Sequence, residues 1–258
     1  MLEDVVNFNE VPIDNKKFID KCRRDLNQNG VVTLHNFLTP ETVTELVNEA
    51  KSCSGLAYFT NSTHNVYLTP QNESLGSEHI FNRQLSSSKG CITTDQVPQN
   101  SKLKELYFSD IFKNFISNVV NEEALYEYAD PLSSINVHYA AEGQELNWHF
   151  DNSKFAITLL LQAPDSGGNF EYVSGLRNAE QNEMNFTGVE SVLSGKTKVN
   201  RLDTRPGTLI LFRGKNSIHR VTPTEGPRER ILVVLAYNSK PGISLSESAR
   251  MTFFGRLQ

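Results

Sequence analysis

The chain has 258 residues, a formal net charge of −5 at pH 7 and 38% hydrophobic residues, a length and composition typical of a single domain with its own core. Basic and acidic residues are interspersed, which excludes the positive footprint of a nucleic-acid-binding protein and the basic cluster of a protein that binds anionic membranes. No segment approaches the roughly 18 continuous apolar residues of a membrane span.

Cellular location is indicated by the cysteines and by the first residues. The three cysteines are scattered and odd in number, whereas a disulfide framework favours an even, closely spaced set. The start, MLEDVVNFNEVPID, lacks the basic and apolar regions of a signal peptide. We therefore predict a cytoplasmic protein.

The first half of the chain has helical periodicity around one strand. A first helix is predicted with Asp14 as its N-cap and Gly30 as its stop, and a second begins with Thr39 as N-cap and Pro40 at the first helical position. The β-branched run VVTLHNF between them predicts a strand. Residues 101–121 return to helical spacing.

Residues 54–100 are polar and irregular, and rich in Ser, Asn and Thr. A loop region of this length within a compact domain is usually functional. We predict that it forms a lid that supplies substrate specificity.

Seven short strand-like runs follow residue 130. They are SSINVHYA, FAITLLLQ, GNFEYV, KVNRLDT, GTLILF, SIHRVTP and RILVVLAYN. Short strands separated by turn residues indicate a sandwich, jelly roll or barrel. The predicted fold is α+β with a mainly β core, in one domain: residues 1–130 form helical support and lid loops, 131–240 the β-core and 241–258 a C-terminal segment.

One pattern in the β-rich half predicts a metal site. His149 and Asp151 lie two residues apart at a strand end, so both side chains can point the same way. His219, between the strands GTLILF and RILVVLAYN, is the best third candidate. Two histidines and one carboxylate on one face of iron(II) leave three positions open, which is typical of non-haem iron oxygenases.

The other histidines are predicted to be packed or surface residues. His35, His64 and His79 have no carboxylate at ligand spacing, and His138 alternates within a strand, where it either packs or supports the site. Their types and spacing give no reason to count them among the metal ligands.

Arg230 opens the apolar run RILVVLAY. A guanidinium that faces inward from such a strand can hold a carboxylate through two parallel hydrogen bonds. Arg220 and Arg228 are predicted to be surface or capping charges.

Four motifs within about residues 131–240 resemble the iron(II)/2-oxoglutarate-dependent dioxygenases: HFD, SGGNFEYV, RPGTLILFRGKNSIHRVTP and RERILVVLAYN. The resemblance implies a double-stranded β-helix (jelly-roll, cupin-like) core with His149, Asp151 and His219 as catalytic iron ligands. It implies that Arg230 binds the distal carboxylate of 2-oxoglutarate, with Arg228 as the fallback. The implied cofactor and co-substrates are iron(II), 2-oxoglutarate and dioxygen, with ascorbate as a stimulant.

The wider chain is similar to a smaller group, the halogenases of free amino acids and their hydroxylase relatives. The likeness is carried by HNVYLTP, FNRQLSSSKGCITTDQVP, YADPLSSINVHYAAEGQELNWHF and the closing FFGR. The halogenases have glycine where this chain has Asp151. Glycine leaves an iron position for chloride and a carboxylate fills it, so the resemblance implies hydroxylation.

Five further residues are expected around the site. Thr158 and Asn136 either bond the co-substrate or iron shell or are satisfied within the sheet. Arg83 resembles the group's substrate-contacting arginine, which would hold an α-carboxylate, or it is a surface residue. Asn152 and Asn238 are expected to line the substrate pocket.

The expected reaction is hydroxylation of an unactivated C–H bond of a small molecule, with a free amino acid or derivative favoured, and release of succinate and carbon dioxide. Three alternatives stay open: a peptidyl (prolyl-type) hydroxylase, desaturation or cyclisation by the same chemistry, and a non-catalytic cupin-like binding protein. No nucleic-acid or membrane partner is expected. The sequence leaves the oligomeric state open, a homodimer included.

Overall fold

The computed structural model describes residues 1–258, with six α-helices and thirteen β-strands. The helices are α1 (Lys16–Asn29), α2 (Pro40–Cys53), α3 (Lys102–Phe108), α4 (Asp110–Val120), α5 (Phe186–Leu193) and α6 (Glu247–Phe254). The strands are β1 (Val31–Leu34), β2 (Tyr58–His64), β3 (Leu85–Ile92), β4 (Ile135–Ala140), β5 (Leu146–His149), β6 (Ala156–Gln162), β7 (Ser166–Gly167), β8 (Phe170–Val173), β9 (Asn200–Arg201), β10 (Leu209–Phe212), β11 (Ile218–Val221), β12 (Thr224–Glu225) and β13 (Arg230–Leu235).

The capping residues explain where the first two helices begin and end. The N-cap of α1 is Asn15, whose side chain accepts hydrogen bonds from the backbone N–H groups of the first turn, so the prediction of Asp14 is wrong by one residue. Gly30 ends α1 with a left-handed φ of 73°, as predicted. Thr39 caps α2, with Pro40 in its first turn, which confirms the predicted start.

The predicted helix at 101–121 is two helices. Ser109 has an extended backbone (φ −67°, ψ 128°) and its side chain accepts a hydrogen bond from the Phe112 N–H at the start of α4. Both helices pack in the main core, but the buried positions change phase at Ser109. α3 buries Leu103, Leu106 and Tyr107, and α4 buries Phe112, Phe115 and Ile116 rather than the positions that would continue the α3 face. The prediction of a single helix did not take this change of phase into account.

One curled 11-stranded antiparallel sheet forms the body of the fold. Its order is β1-β10-β6-β13-β4-β3-β5-β11-β8-β9, with β2 paired to β3, and β7 and β12 form a separate two-stranded sheet. Neighbours in the sheet are distant in sequence, as where β13 lies between β4 and β6. This order brings the end of the chain against its middle and sets the register of the inward-facing residues.

Because successive side chains of a strand point to opposite faces of the sheet, apolar residues are buried on one face and polar residues lie on the inner face. Odd-numbered residues of β4, β6 and β13 pack in the main core with α3 and α4; they include Ile135, Val137, Tyr139, Ile157, Leu159, Leu161, Ile231, Val233 and Leu235. The even-numbered residues point the opposite way and include Asn136, His138, Thr158 and Arg230. The polar side chains of the core strands therefore share one concave face.

The prediction of an irregular segment at 54–100 is wrong for β2 and β3. These strands pair over residues 58–64 and 85–92, and β3 continues into the main sheet beside β4 and β5. Because β2 is an edge strand and mostly exposed, it has no apolar face, and its Ser, Asn and Thr residues resemble a loop. Together with β1, three strands from the first half of the chain join the sheet.

The predicted strands after residue 130 are confirmed, with KVNRLDT shortened to the two residues of β9. In this fold, no helix combines the length and the apolar character needed to cross a membrane.

Candidate metal centre

Strand register brings the three predicted ligands together. β5 and β11 pair with His149 opposite His219, and their ring centroids lie 4.1 Å apart. Asp151 follows β5, and its Oδ1 lies 3.5 Å from His219 Nε2 and 3.7 Å from His149 Nε2. The ligand atoms of the three residues all lie within 4.8 Å of one another.

Both imidazoles are held in the same tautomer by backbone carbonyls. His149 Nδ1 is 2.8 Å from the Asn147 carbonyl oxygen, and His219 Nδ1 is 3.0 Å from that of Ser217. A carbonyl oxygen only accepts, so each Nδ1 carries the proton and donates. The Nε2 atoms are left as lone-pair donors that face Asp151, the arrangement that orients histidines on metals.

Burial favours the neutral form of His149. Burial, reinforced by His219, lowers the pKa of His149 to about 3. Burial acts to raise the pKa of Asp151, but the basic groups around the carboxyl outweigh burial and lower the pKa overall, so the carboxylate is ionised. Two neutral imidazoles and one carboxylate are the ligand set of the facial triad that holds iron(II) with open positions.

The two histidine Nε2 atoms and the Asp151 carboxylate face a common point, where a cation would fit. With Nδ1 protonated on both rings, no proton lies between either Nε2 and the Asp151 carboxylate. Asp151 Oδ2 is also buried without a hydrogen-bond partner, and burying an unpaired charged group is unfavourable. A metal ion would pair with all three residues.

Gly214 fixes the position of Asp151. Its carbonyl oxygen accepts the Asp151 N–H at 3.1 Å, and a Cβ at position 214 would lie 1.8 Å from Asp151 Oδ2. Only glycine leaves room for the carboxylate here. The sequence reasoning missed this residue, although a glycine in the turn FRGKNS just before His219 was a usable signal.

Arg230 is a buried cation without a protein partner. Its residue is 9% exposed, its guanidinium makes no hydrogen bond or ion pair with the protein, and burial lowers its pKa to about 10. It therefore stays charged at neutral pH on the polar inner face. Arg228, in contrast, has a side chain 54% exposed and paired with Asp165 at 3.0 Å, so the structure gives this fallback residue a surface role.

Thr158 and Asn136 both face the concave side and flank β13 opposite Val234. The hydroxyl of Thr158 makes no hydrogen bond within the protein and is half-buried. The Asn136 side-chain nitrogen donates to the carbonyls of Leu132 and Ile135 at 2.8 and 3.0 Å. The donors of Asn136 are therefore engaged in the fold, and only its oxygen remains available.

The three expected substrate residues differ in exposure and in hydrogen bonding. Arg83 and Asn152 are exposed, and neither side chain makes a hydrogen bond. Asn238 is bridged through its backbone to Tyr126, and its side-chain nitrogen is buried without a partner. Of the three, only Asn238 offers an unsatisfied polar atom in a protected position.

Three basic side chains near the triad were not predicted as site residues. The His64 ring lies 5.9 Å from that of His149, Lys89 Nζ is 3.4 Å from both ring nitrogens of His138, and the Arg177 guanidinium stacks 4.1 Å from the Phe150 ring. Lys89 and His64 lie on β3 and β2, the strands hidden in the polar segment.

The family model described as Halogenase D matches residues 13–252, while no curated protein matches the chain.

Several solved structures share the fold. An oxidoreductase of the 2OG-Fe(II) oxygenase family from Burkholderia pseudomallei is 13% identical over 89% of this chain and 95% of its own, with a TM-score of 0.54. A prolyl hydroxylase from Trichoplax adhaerens, in complex with a hypoxia inducible factor peptide fragment, is 17% identical over 88% and 91%, with a TM-score of 0.56. The alpha-ketoglutarate-dependent carbocyclase SnoK of nogalamycin biosynthesis is 12% identical over 89% of both chains, with a TM-score of 0.60.

At identities this low the structural likeness speaks for the fold, and it confirms the predicted jelly-roll core. The family match covers nearly the whole chain and confirms both the resemblance drawn from the sequence and the prediction of an enzyme: the chain belongs to the halogenase D family.

Proposed function

We propose that this enzyme uses iron(II), 2-oxoglutarate and dioxygen to hydroxylate a C–H bond of a small molecule, with a free amino acid as the favoured substrate. One observation carries the proposal: two oriented imidazole nitrogens and a carboxylate converge within 4.8 Å on the concave face that also holds the unpaired Arg230. The structural neighbours named as 2OG-Fe(II) oxygenase and alpha-ketoglutarate-dependent carbocyclase support it.

The metal would be held by His149, Asp151 and His219. Bound there, iron(II) supplies the oxidising chemistry that becomes available when 2-oxoglutarate and dioxygen are converted with formation of succinate and carbon dioxide. The protein orients the imidazoles through the carbonyls of Asn147 and Ser217 and holds the Asp151 backbone through Gly214, so the ligands would need little reorganisation on metal binding.

Arg230 orients the co-substrate. Its guanidinium fork matches a carboxylate and lies in a buried site, where a charge-assisted hydrogen bond is strong. Thr158 faces the same side and offers a free hydroxyl. The co-substrate would thus be held at one end by the metal and at the other by Arg230, with water excluded by the apolar strands around it.

Asp151 favours hydroxylation over halogenation. The halogenases that the sequence resembles have glycine at this position, whereas here a carboxylate oxygen lies within 3.7 Å of both histidines. That oxygen occupies the position a chloride would need. Peptide hydroxylation remains the second candidate, since one neighbour is a prolyl hydroxylase with a bound peptide fragment.

A cytoplasmic location is part of the proposal, and the three cysteines are all free thiols. Free thiols persist where glutathione and thioredoxin keep proteins reduced.

The Gly214→Ala variant tests the geometry of the carboxylate. Its new Cβ displaces Asp151, so we expect anaerobic iron(II) affinity, measured by equilibrium dialysis, to fall about 10- to 100-fold. Gly55→Ala is the matched control, because a Cβ at Gly55 meets nothing within 4 Å. Unchanged iron affinity in Gly214→Ala would remove Asp151 from the ligand set.

The Arg230→Met variant tests the co-substrate anchor. Loss of a charge-assisted hydrogen bond is expected to raise the dissociation constant of 2-oxoglutarate about 10- to 150-fold, measured by calorimetry on the zinc-loaded protein. Arg228→Met should leave the constant unchanged. The opposite pattern would transfer the role to Arg228.

A substrate screen tests the reaction itself. Free amino acids are incubated with iron(II), 2-oxoglutarate and ascorbate, and mass spectrometry is expected to detect the gain of one oxygen atom matched by succinate. Turnover of peptides alone would establish the peptidyl alternative. A chlorinated product in the presence of chloride would contradict the role given to Asp151.

A further inference from the structure

The polar inner face beside the metal centre contains a lysine without an acidic partner. β3 pairs with β4 so that Cys91 lies opposite His138, and alternation places Lys89 on the same face. Its Nζ lies 3.4 Å from each ring nitrogen of His138. Lys89 forms no salt bridge, whereas Lys102, Lys113 and Lys154 each pair with a carboxylate.

Lys89 lies near His138 on the polar inner face, and His64 lies beside the metal ligand His149; we refer to this polar area beside the metal site as the recess. Lys89 is half-buried, and burial lowers its pKa, while Cys91 and Asp151 act in the opposite direction. An ammonium removed from water without a counter-charge is unfavourable. An anionic ligand in the recess would offset that cost.

Two histidines, His138 and His64, add a hydrogen-bond donor and a hydrogen-bond acceptor to the recess. Burial, followed by the charges of Lys89 and Arg230, lowers the pKa of His138 well below its ordinary value, so its ring is neutral and carries one N–H donor. His64 Nδ1 lies 3.0 Å from the Asn65 carbonyl oxygen and therefore donates to it. Its Nε2 is then an acceptor, and it is buried without a partner.

These groups are the complement of a carboxylate next to an amino group. Lys89 provides a charged donor and His138 a neutral donor, which together suit the two oxygens of a carboxylate. His64 Nε2 provides an acceptor on the side of the metal ligand His149.

Lys89 and Arg230 project from different strands of the inner face. Arg230 lies on β13 opposite Ala140 of β4, and Lys89 lies on β3, the next strand beyond β4. Two strand spacings are about 10 Å. One small carboxylate therefore does not have to serve both cations.

We propose that Lys89, together with His138, binds the carboxylate of the substrate. The proposal rests on the proposed oxygenase function. It gives Lys89 the anchoring role that sequence resemblance assigned to Arg83, which is exposed.

The test measures binding without turnover. Protein loaded with zinc(II) and N-oxalylglycine, an unreactive analogue of the co-substrate, is titrated by calorimetry with the standard free L-amino acids and with their carboxamides. We expect at least one acid to bind and its carboxamide to bind at least about 10-fold more weakly, because the amide has no charge for Lys89.

The decisive variants are Lys89→Met and Lys89→Arg, with Lys51→Met as the matched control at an exposed lysine. Lys89→Met should weaken binding of that acid about 10- to 150-fold, Lys89→Arg should restore part of it, and Lys51→Met should not change it. The affinity for N-oxalylglycine should stay the same in all three.

Several results would overturn the proposal. They are the failure of every acid to bind the wild type, equal binding of acid and carboxamide, unchanged acid binding in Lys89→Met, and weaker N-oxalylglycine binding in that variant, which would make Lys89 a co-substrate residue. Thermal unfolding of the ligand-free protein adds a readout. Lys89→Met should unfold no earlier than wild type if Lys89 serves a ligand, whereas a purely structural lysine would lower the melting temperature and leave acid binding intact.

Failure of the oxygenase function would be recognised separately. In that case wild-type protein with iron(II) and 2-oxoglutarate would form no succinate, whatever the calorimetry of Lys89→Met shows.

Discussion

The structure depends on one unfavourable arrangement: two imidazole lone pairs and a carboxylate face one another in a buried space with no proton between them. Backbone carbonyls of Asn147 and Ser217 hold the histidine protons on the far side of each ring. A buried cluster of acceptors without a donor is unfavourable, and a cation that joins it would stabilise it. The fold therefore maintains a metal site at some cost to its own stability, as functional sites often do.

The curled sheet makes this arrangement possible by separating two kinds of residue. One face of β4, β6 and β13 packs against helices, while the other carries Asn136, His138, Thr158 and Arg230 toward the cavity. Buried cations without acidic partners on that face, Arg230 and Lys89, are the feature that distinguishes a pocket for acids from an ordinary core. Metal, co-substrate and substrate would each meet the chain through charge that the fold leaves unpaired.

The site residues that the sequence predicted are those whose direction follows from the two-residue period of a strand. His149 and Asp151 share a direction because they are two residues apart, and Arg230 opens an apolar strand. Sequence reasoning failed where tertiary contact decides. β2, an exposed edge strand, and β3 beside it resemble a loop in their polar composition. Lys89 was therefore not considered, and His64 was predicted to be a packed or surface residue. The role of Gly214 depends on a tertiary contact, because a Cβ at this position would lie 1.8 Å from Asp151 Oδ2. Ser109 divides the segment predicted as one helix at the point where the buried positions change phase.

The central claim is that His149, Asp151 and His219 hold iron(II) so that 2-oxoglutarate can chelate it. Anaerobic titration of the protein with iron(II) and 2-oxoglutarate, followed by visible absorption, tests it most directly. The account predicts one iron per chain and a charge-transfer band that requires both ligands and is absent in a folded His219→Ala variant. A wild-type protein without the band, or a His219→Ala variant that keeps it at full intensity, would contradict the account.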